Sequence, residues 1–170
     1  LILSNSVPAS SEFTQAVYEN LEKLNNERQN MADIQPLMDR VNGGSRDVQV
    51  YDRFMQLNFR PSFYDTSNVN ELRLNLSEQY LKTQELLQYL PPVTEPVNLF
   101  PELEQVTVSS LIIRSELDAM PVEADQKLEQ TLPDARLVNI EKAGHFPFIE
   151  QPEEFRSEER RVGKECRSRW

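Results

Sequence analysis

The chain has 170 residues, with 28 Asp or Glu against 18 Lys or Arg and a net charge of −10. A surface of that sign repels phosphate backbones, so nucleic acid is not an expected partner. One cysteine and one histidine leave no disulfide framework and no Cys/His metal centre, and the carboxylates show no Ca-loop spacing. No apolar run reaches the length of a membrane span.

In chain order, Leu1-Ile2-Leu3-Ser4 reads as a buried strand feeding a loop at Asn5-Ser6, without an initiating methionine, as in a chain that begins inside a domain. No leader is visible, but a missing start makes that uninformative, and a cytoplasmic location is only the default expectation. From Pro8 to about Pro101 the sequence turns helical, polar and rich in Asn, Gln and Glu. Ser10 or Ser11 is placed to cap a helix whose Phe13, Val17, Leu21 and Leu24 recur at helical spacing. Gly43-Gly44 separates it from a second helix, about 46–59, with Val48, Tyr51, Phe54, Met55 and Asn58 on one side. Arg60-Pro61-Ser62-Phe63-Tyr64-Asp65 is an aromatic loop. A third helix begins near Ser77, turns Tyr80, Leu87 and Leu90 inward, and stops at Pro91-Pro92.

Strand character returns at Ser110-Leu111-Ile112-Ile113-Arg114-Ser115-Glu116, a short apolar β-branched run that leaves Asp118 at its C-terminal tip. Pro121 opens a helix through Thr131, Pro133-Asp134 turns the chain, and 135–140 forms the next strand. Ala143-Gly144-His145-Phe146 then puts the only histidine at a second strand tip, before a helix starting at Pro152. Parallel strands joined by one helix bring their C-terminal loops together at one sheet edge, so Asp118 and His145 are expected to meet. Either residue alone has a plain structural reading, as a helix cap or a core histidine. Together, an acid followed by a histidine across a strand-helix-strand unit match the order of the last two members of a serine-acid-histidine triad.

This block closely resembles the C-terminal end of α/β-hydrolase-fold enzymes, whose acid loop carries an early glycine, here Ser115, and whose histidine loop reads Gly-His followed by an aromatic or apolar residue. The resemblance implies an α/β fold in which 1–7 and 102–155 are part of the core, contributing strands six to eight of a parallel sheet, and 8–101 is an inserted helical cap. It implies His145 as general base and Asp118 as the residue fixing its tautomer. The segment Leu1 to Ser6, the cap phrases Phe54-Met55-Gln56-Leu57-Asn58-Phe59-Arg60 and Phe63-Tyr64-Asp65, and the two loops look like proline iminopeptidase-type hydrolases. Those enzymes use cap carboxylates to hold a substrate amine, a role that no local motif assigns to a particular residue here. An ester hydrolase and a non-catalytic binding module of the same fold stay open, as does the oligomeric state.

No G-x-S-x-G and no His-Gly-Gly segment occurs, so the nucleophile and the oxyanion donors are expected upstream of Leu1. Gly43-Gly44-Ser45-Arg46 precedes a helix instead of following a strand, which argues against a nucleophile loop. No cofactor is implied, since there is no glycine-rich phosphate loop. The segment from Arg156 to Trp170 resembles a translated short-read sequencing adapter over its whole length, and is expected to be foreign to the natural protein and loosely packed. Cys166 and Trp170 belong to it, and without it 12 basic and 25 acidic residues remain.

Overall fold

The computed structural model describes residues 1–87, 89–90 and 96–168, with side chains placed as far as Arg161. Strand β1 (Ile2–Ser4) leads through a 3-10 turn, Ser11–Phe13, into helices α1 (Thr14–Arg28), α2 (Met31–Asn42) and α3 (Val48–Asn58). Two further 3-10 turns, Arg60–Ser62 and Thr66–Glu71, precede α4 (Glu78–Leu87) and the single turn α5 (Phe100–Leu103). The chain then runs through β2 (Ser110–Ser115), α6 (Val122–Thr131), β3 (Ala135–Ile140), the single turn α7 (Pro147–Glu150) and α8 (Pro152–Ser168).

All three strands are parallel, in the order β1-β2-β3. The central strand is covered on both faces, which is why its sequence is a continuous apolar run without alternation. Leu111 and Ile113 pack with Ile140, Ala143 and Phe155 of α8. Ile112 points the other way, onto Leu128 and Leu132 beside α6. The first strand differs from the expectation of burial: it lies at the sheet edge, and Leu1 and Ile2 are exposed.

The helical segment between β1 and β2 has its own apolar centre of Ile34, Leu57, Phe63, Val69 and Leu72. Its two ends are tied together, since Ser11 donates its N–H to the Val97 carbonyl at 2.8 Å and Leu99 donates to that of Ala9 at 2.8 Å. Ser10 caps the first turn by accepting from the Glu12 N–H, as its position predicts. Three readings of this segment change. The stretch before Gly43-Gly44 is two helices, because Gln29 is extended and Asn30 caps α2 by accepting from the Ala32 N–H. On α3 the buried positions are Val50, Gln56 and Leu57, and Asn58 is exposed; the helix is rotated so that Leu57 and Phe54 meet Ile34 and Phe63. On α4, Tyr80 and Leu81 are half-buried but Leu87 and Leu90 are exposed, and Glu85 pairs with Arg46, just before α3, at 2.5 Å. Pro91 and Pro92 lie outside the described residues.

The C-terminal segment also differs from expectation as far as Arg161. It continues α8 without a break, and Glu158 is buried, paired with Arg136 of β3 at 2.8 Å and with Arg161 at 2.6 Å. A Glu- and Arg-rich string has high helix propensity, and an established turn at Pro152 extends more readily than a new helix starts. Among the described residues no helix is long and apolar enough to cross a membrane.

Between β2 and α6, Asp125 is 4% exposed and 3.3 Å from the Arg114 guanidinium. Burial pushes its carboxyl up from 3.8 to about 6, against the opposing pull of Arg114. A raised pKa means that the folded chain binds a proton more tightly than the unfolded one. The corresponding stability is complete below about pH 4 and is lost as pH rises through about 6. Asp125→Asn stays neutral throughout, so thermal melts should show the unsubstituted chain losing ground to the variant across that window, by up to about 3 kcal/mol.

Candidate active site

Three loops meet at the C-terminal ends of the strands. After β2, Asp118 bends back on its own backbone and its Oδ1 accepts from the Met120 N–H at 3.2 Å. After β3, Gly144 and His145 run directly beneath the turn Arg60–Ser62. The His145 N–H donates to the Ser62 carbonyl at 2.7 Å. A Cβ on Gly144 would stand 2.1 Å from that same oxygen, so only glycine allows this approach.

These constraints bring together the two residues singled out in the sequence. His145 Nδ1 lies 3.2 Å from Asp118 Oδ2 and 3.3 Å from Oδ1. The Asp118 side chain is 3% exposed and that of His145 is 32% exposed. An acceptor-only carboxylate at Nδ1 places the proton of a neutral imidazole there and leaves Nε2 as the basic nitrogen. That is the tautomer a general base needs.

Several supporting residues carry no motif of their own. Asn5, at the tip of β1, donates through Nδ2 to Asp118 Oδ2 and reaches Ser115 Oγ at 3.1 Å. Phe146 is buried within the centre of the helical segment, stacked on Phe63 at 4.8 Å and edge-on to Phe59 at 5.3 Å. The Glu150 carboxylate accepts from the backbone N–H groups of Gly144 (2.7 Å), Tyr64 (3.0 Å) and Asp65 (2.8 Å), and from Asn68 Nδ2 at 3.3 Å. Arg28 donates to the carbonyls of Pro61, Phe63 and Tyr64, holding the aromatic loop from its other side. Only the aromatic content of 59–64 and the Gly-His pair signalled any of this in the sequence. Among the described residues no group of three His, Cys, Asp or Glu side chains is placed to hold a metal.

Gly144→Ala should therefore force the histidine loop away from Ser62, costing about 1–3 kcal/mol as overpacking against rigid backbone. A drop in thermal midpoint together with a shifted His145 ring resonance would register both effects. An unchanged melt would contradict the close approach.

A family model described as "Alpha/beta hydrolase family" matches residues 16–158. Among curated proteins, the pimeloyl-[acyl-carrier protein] methyl ester esterase of Nitrosomonas europaea is 32% identical over 109 residues, 64% of this chain and 43% of that protein. The enzyme of the same name from Aeromonas hydrophila is 28% identical over 63% of this chain and 42% of that protein. The chain thus spans less than half the length of these curated relatives. Among solved structures, MenH from S. aureus superposes with a TM-score of 0.55 at 20% identity, covering 97% of this chain and 58% of that one. An alpha/beta fold family hydrolase from Bacillus anthracis gives 0.53 at 18%, covering 91% and 54%. The parallel sheet with helices on both faces and the match over most of the length agree: this chain belongs to the alpha/beta hydrolase family.

Proposed function

We propose that this chain is the C-terminal part of a serine hydrolase that cleaves carboxylic esters, with Asp118 and His145 as its acid and base and residues 8–101 as its cap. The observation that carries the proposal is the contact between a buried carboxylate and a half-exposed histidine at adjacent strand tips. His145 Nε2 takes the proton of a serine hydroxyl as the serine oxygen attacks the ester carbonyl carbon, and then returns that proton to the departing alcohol. Water hydrolyses the resulting acyl-enzyme with the same base. Asp118 holds the ring and stabilises the imidazolium formed in each half-reaction. The serine and the oxyanion donors belong to sequence not represented here, and no cofactor enters the scheme.

Ester chemistry is favoured by the curated relatives, both named as methyl ester esterases. A proline iminopeptidase, whose cap carboxylates hold the substrate amine, remains the competing reading, since the cap phrases around Phe59 and Tyr64 resemble that group.

The foreign origin of 156–170 is part of the same proposal. Amplifying the gene from source DNA tests it: codons for Arg156 to Trp170 in the genome would refute it.

The activity is tested by joining the upstream coding sequence to this chain and assaying methyl and p-nitrophenyl esters beside prolyl-aminoacyl substrates. Ester turnover is expected, with His145→Ala abolishing it and Asp118→Asn lowering kcat by up to about 10⁴, the scale of a serine-protease triad. The 170-residue chain alone should turn over neither substrate, lacking a nucleophile. Hydrolysis restricted to prolyl substrates with a free amine would transfer the assignment to the aminopeptidase, and full activity in His145→Ala would overturn both.

A further inference from the structure

The third strand tip at the site belongs to β1, and its residue Asn5 has no place in a serine-acid-histidine scheme. It is nonetheless 7% exposed and stands in the left-handed region at φ 45. Asparagine tolerates that conformation better than most residues, but it is an uncommon one to hold at a buried position. The backbone is fixed there by its N–H, which donates to the Ile113 carbonyl at 2.8 Å and continues the β1–β2 ladder one residue past the strand.

The side chain reaches both the loop that carries Asp118 and the loop that carries His145. Nδ2 donates to Asp118 Oδ2 and faces Ser115 Oγ at 3.1 Å and the Gly144 carbonyl at 3.4 Å. Oδ1 lies 3.3 Å from the Ser115 hydroxyl. All three groups around Nδ2 are able to accept, and one is a carboxylate. Turning the amide over would set Oδ1 against Asp118, two acceptors with no proton between them, so the surroundings select one orientation. Asp118 Oδ1 is already bonded to the Met120 N–H. The carboxylate plane is thus fixed at both oxygens, one from its own loop and one from β1, and His145 Nδ1 approaches the resulting edge.

We propose that Asn5 is a positioning residue for the acid-histidine pair: its amide locks the rotamer of Asp118 and thereby the orientation and tautomer of His145. The inference rests on the reading of Asp118 and His145 as an acid-base pair. Isolated from Asn5, the Asp118 side chain would keep its burial but lose the contact that stops it swinging about its Cβ–Cγ bond. Charge-assisted hydrogen bonds are the stronger ones, so the loss should be visible in the ring it orients.

Because His145 is the only histidine, its ring N–H can be followed without ambiguity by proton and nitrogen NMR of the 170-residue chain. A downfield Nδ1–H signal protected from water is expected. Asn5→Gly keeps the left-handed backbone and removes the amide; Asn5→Asp keeps the shape and replaces the donor by a second carboxylate. Both should make the Nδ1–H exchange at least about tenfold faster with water, with the far-ultraviolet circular dichroism unchanged. Asp118→Asn is the reference. If it broadens the signal and the Asn5 variants do not, the Asn5 proposal fails while the acid-base reading stands. If Asp118→Asn leaves the signal untouched, the acid-base reading itself fails.

One measurement needs no substitution, and so survives any variant that does not fold. In the unsubstituted chain one Asn5 side-chain amide proton should be shifted downfield and slow to exchange. Rapidly exchanging protons at the ordinary asparagine position would overturn the proposal on their own.

Discussion

The site depends on one close approach, that of the histidine loop to the turn Arg60–Ser62. A missing Cβ at Gly144 lets two backbones pass at a distance no other residue allows, and the His145 N–H and the Ser62 carbonyl satisfy each other there. The remaining contacts follow from it. Phe146, the next residue, is delivered into the aromatic cluster with Phe59 and Phe63. Glu150, one turn on, reaches back to the N–H groups of Gly144, Tyr64 and Asp65. The histidine is thus held through its ring by Asp118 and through its backbone by the turn Arg60–Ser62, with its side chain 32% exposed.

The sheet sets distances in this site, and the loops choose directions. Parallel pairing of β2 with β3 carries both strands to the same edge, and the paired tips at Ser115 and Ile140 open into the two loops that carry Asp118 and His145. The first strand extends the row, so that Asn5, Asp118 and His145 come from three successive strand tips. Such an edge is where open α/β sheets assemble chemistry, since every strand ends there and the loops have no regular structure to obey.

How much of this was legible in the sequence follows from the range of each interaction. The strands β2 and β3, the helix α6 and the meeting of Asp118 with His145 are local patterns plus one topological rule, and they could be read directly. The face of α3 could be read only in part: Phe54 packs as expected, but Val48, Tyr51 and Met55 beside it offer as good an apolar stripe as Val50 and Leu57. The choice is made by Phe63 and Ile34, which no periodicity reveals. Leu87 and Leu90 look inward by spacing alone, yet both are exposed. The roles of Asn5 and Glu150 were out of reach for a different reason. Each acts through partners at large sequence separation, up to 139 residues for Asn5 and Gly144.

The position of Phe146 has a consequence for biosynthesis. The helices between β1 and β2 leave the ribosome before β2, α6 and β3, yet their apolar centre is completed by a ring that follows the last strand, with Phe63 and Phe146 stacked across about half of the chain. Until that ring emerges, Phe59, Phe63, Val69 and Leu72 surround an unfilled place, and contacts of such separation form late because a long loop must close first. Without Phe146 the helical segment would leave that apolar surface uncovered, so its packing depends on the final quarter of the chain.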